Sequence, residues 1–110
     1  MIEDTLRELE KRIAAGSSMK PDIRNELLKL LATLRGEIGH LSKADPDQAK
    51  SITGFVELSM HEATRSEKKP QALEHALGGL SSTVSGIEEA HPQLVEIVNR
   101  ISTLLANMGI

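Results

Sequence analysis

Hydrophobic residues recur along the chain at intervals of three and four, the spacing that places side chains on one face of an α-helix. Five segments carry this pattern, and prolines at positions 21, 46, 70 and 92 stand where four of them begin. Proline suits a first helical turn because its φ is already helical and it has no N–H to leave unpaired. The spacing predicts helices over about 2–15, 21–41, 46–66, 71–89 and 92–108.

The last two segments have the most regular pattern. Their hydrophobic residues alternate in steps of four and three, as in the seam of left-handed helix packing, and Arg100 is the only basic residue after position 70. Pro92 permits either two helices or one kinked helix; a break at residues 90–91 is favoured because a residue before proline avoids α geometry. We expect a self-association face formed by Leu73, Leu77, Leu80, Val84, Ile87, Leu94, Val98, Ile101 and Leu105.

The whole pattern predicts one domain over residues 1–110. Its length of 110 residues suits a single core, and short connections between helices favour antiparallel neighbours. Residues 16–18 (GSS) are expected to end the first helix, and Asp45 is expected to cap the third. The predicted fold class is all-α, an antiparallel bundle of four to five helices with coiled-coil-like packing.

Composition supports helices over strands. Phe55 is the single aromatic residue, with no Trp and no Tyr, which argues against β-sandwiches and barrels and against base-stacking nucleic-acid sites. Phe55 falls in the weakest helical segment, so we expect it to anchor that helix locally rather than to occupy the centre of the core. The Gly78-Gly79 pair is expected to allow a close approach of helices. A core of aliphatic residues alone needs near-complete burial, which favours a homodimer.

Charge, cysteine content and hydropathy exclude several classes. The formal net charge is −3, so the chain lacks the broad positive field that draws nucleic acids. It has no cysteine, which removes disulfides, thiolate catalysis and cysteine-held zinc. No stretch approaches the length of a membrane span. We therefore expect a cytoplasmic protein without a cofactor, a nucleic-acid partner or a membrane contact.

The most notable polar cluster is the predicted helix face carrying His61, Glu62 and Arg65. His61-Glu62 resembles the start of a zinc-protease helix motif, but position 65 holds Arg where a second imidazole is required. One interpretation is a recognition patch, in which Arg65 binds a carboxylate or phosphate. The other is a solvated face with weak ion pairs of about 0.2–0.5 kcal/mol each, which is the commoner case.

His91 and Pro92 stand at the predicted start of the last helix. The His91 ring could bond the carboxylate of Glu88 or Glu89, and the favoured expectation is that it caps the helix or packs there, a structural role rather than a ligand-binding one.

Four stretches resemble a small bacterial family known as domain of unknown function 4404. They are residues 1–9 (MIEDTLREL), 61–68 (HEATRSEK, as in longer members), 87–94 (IEEAHPQL) and 104–110 (LLANMGI). Members often have Phe where this chain has Ile87. The resemblance implies a short all-helical bacterial protein and no catalytic activity, because the family has none assigned.

The leading functional expectation is a non-catalytic helical module for protein interaction or scaffolding that self-associates as a homodimer and binds an unknown protein partner. The alternative is a small-ligand or anion-binding regulatory protein that uses the His61–Arg65 helix face. An enzyme ranks last, because neither Cys nor Tyr is present and the carboxylates are scattered.

Overall fold

The chain folds into five α-helices. The computed structural model describes residues 2–15 and 19–109, and the predicted helix stop at residues 16–18 lies outside them. Within these ranges no strand occurs, so the all-α prediction is confirmed. The helices are α1 (Ile2–Ala14), α2 (Pro21–Ala44), α3 (Pro46–Thr64), α4 (Pro70–Val84) and α5 (Pro92–Gly109).

Proline and a capping carboxylate set the helix starts. All four prolines are the first residues of helices, as predicted. Asp45 alone separates α2 from α3: its N–H donates to the Leu41 carbonyl at the end of α2, and its Oδ1 accepts from the Gln48 N–H, 3.1 Å away, at the start of α3. The predicted N-cap is thus confirmed, and the same residue closes the preceding helix.

The turn between α4 and α5 corrects the predicted end of α4. The helix stops at Val84 instead of position 89. Gly86 then adopts a φ of +94°, a conformation that costs a side-chain-bearing residue about 1–2 kcal/mol. Glu88 holds this turn by accepting a hydrogen bond from the Gly86 N–H at 2.9 Å. Residues 70–109 therefore form two helices rather than one kinked helix.

Side-chain pairings show that neighbouring helices run antiparallel. Gln48, near the start of α3, donates to the carbonyl of Thr83, near the end of α4. Along α1 and α2 the order of contacts is also reversed: Glu3, at the start of α1, lies against Gly39, whereas Glu10, late in α1, pairs with the earlier Arg35 of α2 at 3.4 Å. The helices α2 and α3 pack on each other and contact α1 and α5, while α4 lies against α3 and α5.

The helices α3 and α4 approach each other closely at Gly79. Phe55 is half-buried, and its ring occupies the space that a Cβ on Gly79 would fill. A side chain at position 78 would meet no neighbouring atom within 4 Å. Of the two glycines, only Gly79 therefore gives the close approach expected of the pair. As predicted, Phe55 packs against the core from its margin, whereas the core itself is aliphatic and continuous through all five helices.

Candidate functional site

The predicted recognition patch lies at the C-terminal end of α3. Arg65 donates from Nη1 to Glu62 Oε1 at 2.9 Å, and Glu62 is only 8% exposed. His61 Nε2 lies 4.0 Å from Glu62 Oε2 with its side chain 64% exposed. The three residues are therefore in contact, but the buried carboxylate occupies part of the guanidinium that was predicted to bind an external anion.

The connection after α3 brings a second basic side chain, Lys68, to the C-terminal end of that helix, beside Arg65. Lys68 donates from Nζ to the Ala63 carbonyl, one of the carbonyls that a helix C-terminus leaves without an intrahelical partner. The Thr64 hydroxyl donates to the Met60 carbonyl at 2.7 Å. An ammonium group has three donors, so Lys68 retains hydrogen-bonding capacity after it has closed the end of α3.

Arg65 and Lys68 line a groove of about 440 Å³ between the end of α3, the start of α2 and the end of α5. We call this the cationic groove. Among the described residues, its lining contains three basic side chains and no acidic one. The members are basic Lys20, Arg65 and Lys68, apolar Met19, Ile23, Ala63 and Met108, and hydroxyl-bearing Thr64 and Ser66.

Sequence reasoning identified only Arg65 of the groove's three cations. Lys20 precedes α2, and Lys68 lies in the connection between α3 and α4, so no single helical face joins them to Arg65. The apolar members come from even more distant positions, with Met19 and Met108 at opposite ends of the chain. A three-dimensional arrangement was needed to find this site.

At the start of α5 the backbone of His91, rather than its ring, makes the hydrogen bond. Glu88, one of the two carboxylates considered for the ring, accepts from the Gly86 N–H. Within the described ranges the imidazole makes no hydrogen bond, and the backbone of His91 performs the capping: its carbonyl accepts from the Val95 N–H at 3.2 Å. Pro92 follows as the first residue of α5.

The predicted self-association face lies mostly in the interior of one chain. Leu77 and Ile87 remain partly exposed, whereas the other seven members are buried in the common core: Leu73, Leu80, Val84, Leu94, Val98, Ile101 and Leu105. The regular hydrophobic stripes of α4 and α5 are thus buried against each other and against neighbouring helices of the same chain. A surface between two copies would have to use other residues.

A second groove, of about 640 Å³, runs along α5 beside α2. Val95 and Leu104 are half-buried in it, and Arg100 Nη2 pairs with Glu96 Oε1 at 3.0 Å. We call this surface the α5 outer face. Its lining residues on α5 are Pro92, Val95, Glu96, Asn99, Arg100, Thr103, Leu104 and Asn107, and Glu26 of α2 and Glu88 of the preceding turn complete it.

The described residues contain no group of three His, Asp or Glu side chains arranged to hold a metal ion. Across residues 2–15 and 19–109, no helix combines the length and apolar character that crossing a bilayer requires.

Neither a curated protein nor a solved structure matches the chain. A family model does match, over residues 27–110, from the first turns of α2 through all of α3, α4 and α5. The chain therefore belongs to the family described as Domain of unknown function (DUF4404).

Proposed function

We propose that the protein is a non-catalytic interaction module that self-associates through the α5 outer face. The observation that supports this proposal is the position of Val95 and Leu104, which line a groove and are only partly buried. Other described residues, such as Leu28 and Ile97, are partly buried as well, and among the described residues only Leu58 is a more exposed large hydrophobic side chain. We place its action in the cytoplasm, a location with which a sequence without cysteine is compatible.

The residue pattern of this face is self-complementary. Two α5 helices packed antiparallel, with the two-fold axis between Asn99 and Arg100, would bring Glu96 of each copy within reach of Arg100 of the second. Val95 and Leu104 are nine residues apart and therefore lie on opposite flanks of α5, where they would border this charged centre. The charged contact would then occur twice, as a two-fold interface requires.

The size of the face points to weak association. With 18 residues, α5 is about 27 Å long, so one helix alone covers well below the roughly 800 Å² per partner of a standard stable interface. The flank of α2 around Glu26 must contribute for a dimer to persist. We therefore expect a dimer that forms at tens of micromolar rather than an obligate one.

Charge reversal at Arg100 tests this interface. Arg100 is exposed, so Arg100→Glu should leave the fold intact while it sets Glu96 against a second carboxylate and weakens dimerisation about tenfold. The double variant Glu96→Arg/Arg100→Glu restores opposite charges and should restore the dimer. Lys50→Glu, an exposed change on α3, is the matched control and should dimerise normally.

Sedimentation equilibrium and light scattering at tens of micromolar measure the molar mass in solution of the wild type and of each variant. A wild-type species of 12.0 kDa at these concentrations would contradict self-association. A dimer that Arg100→Glu does not weaken would instead retain self-association and reject the α5 outer face.

A second candidate function is anion binding at the end of α3, and the cationic groove is the observation that favours it. This candidate keeps Arg65 from the predicted patch. It gives Glu62 the role of orienting Arg65, and it places His61 beside the groove, whose lining does not include the imidazole. Thermal unfolding with acetate, phosphate and citrate tests it: an anion that binds the folded chain raises the midpoint.

A further inference from the structure

We infer that the cationic groove binds an aliphatic carboxylate, a ligand with a single anionic head and an unbranched apolar tail. The inference rests on the second candidate function and adds the chemical class of the ligand. The groove has a volume of about 440 Å³, within the range of about 300–1,000 Å³ that small-molecule sites occupy.

The charged part of the groove suits one carboxylate head. Lys20, Arg65 and Lys68 contribute three positive charges to a lining without an acidic residue among the described positions, although the whole chain has a formal net charge of −3. Glu62 binds one end of the Arg65 guanidinium at 2.9 Å, and this holds the planar group in place. A guanidinium has five N–H donors, so Arg65 can serve a second carboxylate as well as Glu62.

The apolar part of the groove suits an unbranched tail. Met19, Ile23 and Met108 line it beside the cations, and all three are only partly buried. Methionine side chains are unbranched and adapt to apolar ligands of variable shape. An inorganic anion such as phosphate would bind the basic side chains but leave this apolar surface exposed to water. An amphipathic anion covers both parts of the lining and therefore fits it better.

The lining of the groove comes from the ends of three helices, which is why the complete chain is needed. Met19 and Lys20 precede α2, Arg65 and Lys68 follow α3, and Met108 lies in the last turn of α5. A ligand in the groove would connect three helix ends that are far apart in sequence. Binding should therefore raise the unfolding temperature of the whole bundle.

Isothermal titration calorimetry of the full-length protein with octanoate, acetate and 1-octanol separates the contribution of the anionic head from that of the apolar tail. All three are used below the concentration at which octanoate forms micelles. We expect octanoate to bind about tenfold more tightly than acetate and more tightly than octanol, since only octanoate supplies both a charge and a tail.

Removing two cations tests whether the groove is the site. Lys20→Gln/Lys68→Gln keeps Arg65 and its pair with Glu62 and removes the Lys68 bond to the Ala63 carbonyl, so far-UV circular dichroism first checks that the fold is retained; we then expect octanoate affinity to fall about tenfold. The matched control is Lys43→Gln: Lys43 is exposed near the opposite end of α2, about 35 Å from Lys20 along the helix. Its octanoate affinity should equal that of the wild type.

The outcomes separate the inference from the function on which it rests. If acetate or phosphate binds as tightly as octanoate and the double variant loses both, anion binding stands and the aliphatic-carboxylate inference is overturned. If octanol matches octanoate, or the double variant binds octanoate normally, the cations play no part and the inference is also overturned. Failure of every anion to bind rejects both.

Discussion

The contact of α3 with α4 and the contact of α1 with the rest of the bundle are built in different ways. In the first, the ring of Phe55 fills the space where Gly79 lacks a side chain. In the second, α1 inserts Leu6, Leu9 and Ile13 into the core. Charged pairs then flank these residues, from Arg12 to Glu57 and from Arg35 to Glu10.

The difference concerns tolerance to substitution. The α3–α4 contact requires glycine at position 79, because any side chain there would occupy the space of the Phe55 ring. The α1 contact depends on the amount of aliphatic surface removed from water, which different aliphatic residues can provide. The family match begins at residue 27 and includes the first contact but not α1.

Leu6→Ala should have the largest effect on stability. Leu6 is fully buried, and its truncation removes apolar contacts and leaves a cavity, so we expect a loss of about 3 kcal/mol in the free energy of unfolding. Urea unfolding followed by far-UV circular dichroism measures it. Leu6→Ile should cost less than half as much if the contact depends on aliphatic volume. Equal losses would show that α1 also depends on a specific side-chain shape.

Phe55→Ala should cost about 2 kcal/mol, less than a fully buried Phe would, because the ring lies at the margin of the core. The helical signal at 222 nm should remain near the wild-type value at 20 °C, since the aliphatic core stays in place. Loss of most of that signal would show that the ring is central to the fold. The neighbouring Leu58→Ala, which changes an exposed residue, is the control.

Gly79→Ala and Gly78→Ala should act in opposite directions. Alanine favours a helix over glycine by about 1 kcal/mol, so Gly78→Ala, whose Cβ meets nothing, should stabilise the protein by up to that amount. Gly79→Ala should destabilise it by about 1 kcal/mol net, because the new Cβ displaces the Phe55 ring.

Combining Gly79→Ala with Phe55→Ala sharpens this result. Once the ring is absent, the alanine at position 79 has space, and its effect should change from destabilising to stabilising. The coupling free energy between the two changes should be about 1–2 kcal/mol. Additive effects of the two substitutions would show that the ring does not fill the space above Gly79.

Glu10→Gln should have the smallest effect, a loss of about 0.5 kcal/mol. Its side chain is 17% exposed, and Arg35 is 32% exposed, so the pair is partly shielded from water yet still accessible to salt. The loss should shrink in 1 M NaCl, where charges are screened within about 3 Å. Glu8→Gln, which affects a fully solvated pair with Lys11, should be neutral in both conditions.

Local rules predicted most of the fold. Each proline marks a helix start and Asp45 caps α3, because these preferences arise from the residue and its immediate neighbours. The end of α4 was placed five residues too late, since Ile87 continued the hydrophobic spacing beyond Val84. The periodicity did not show that Gly86 would take a positive φ.

Non-local packing explains what the sequence could not predict. Periodicity identified the buried stripes of α4 and α5 but did not show whether the burying partner was the same chain or a second copy. The cationic groove was missed for the same reason. Its cations come from two segments, the residue before α2 and the connection after α3, and they share a surface only after α2 and α3 have packed antiparallel.

The single-residue connection at Asp45 also bears on how the chain folds. Closing a short loop costs little conformational entropy, so α2 and α3 can meet before any distant segment has been ordered. Together they cover residues 21–64 and present contact surfaces for both α1 and α5. This hairpin is a natural nucleus, and the remaining helices can add to it from either end of the chain through further local steps. Such a route is typical of fast-folding helical domains.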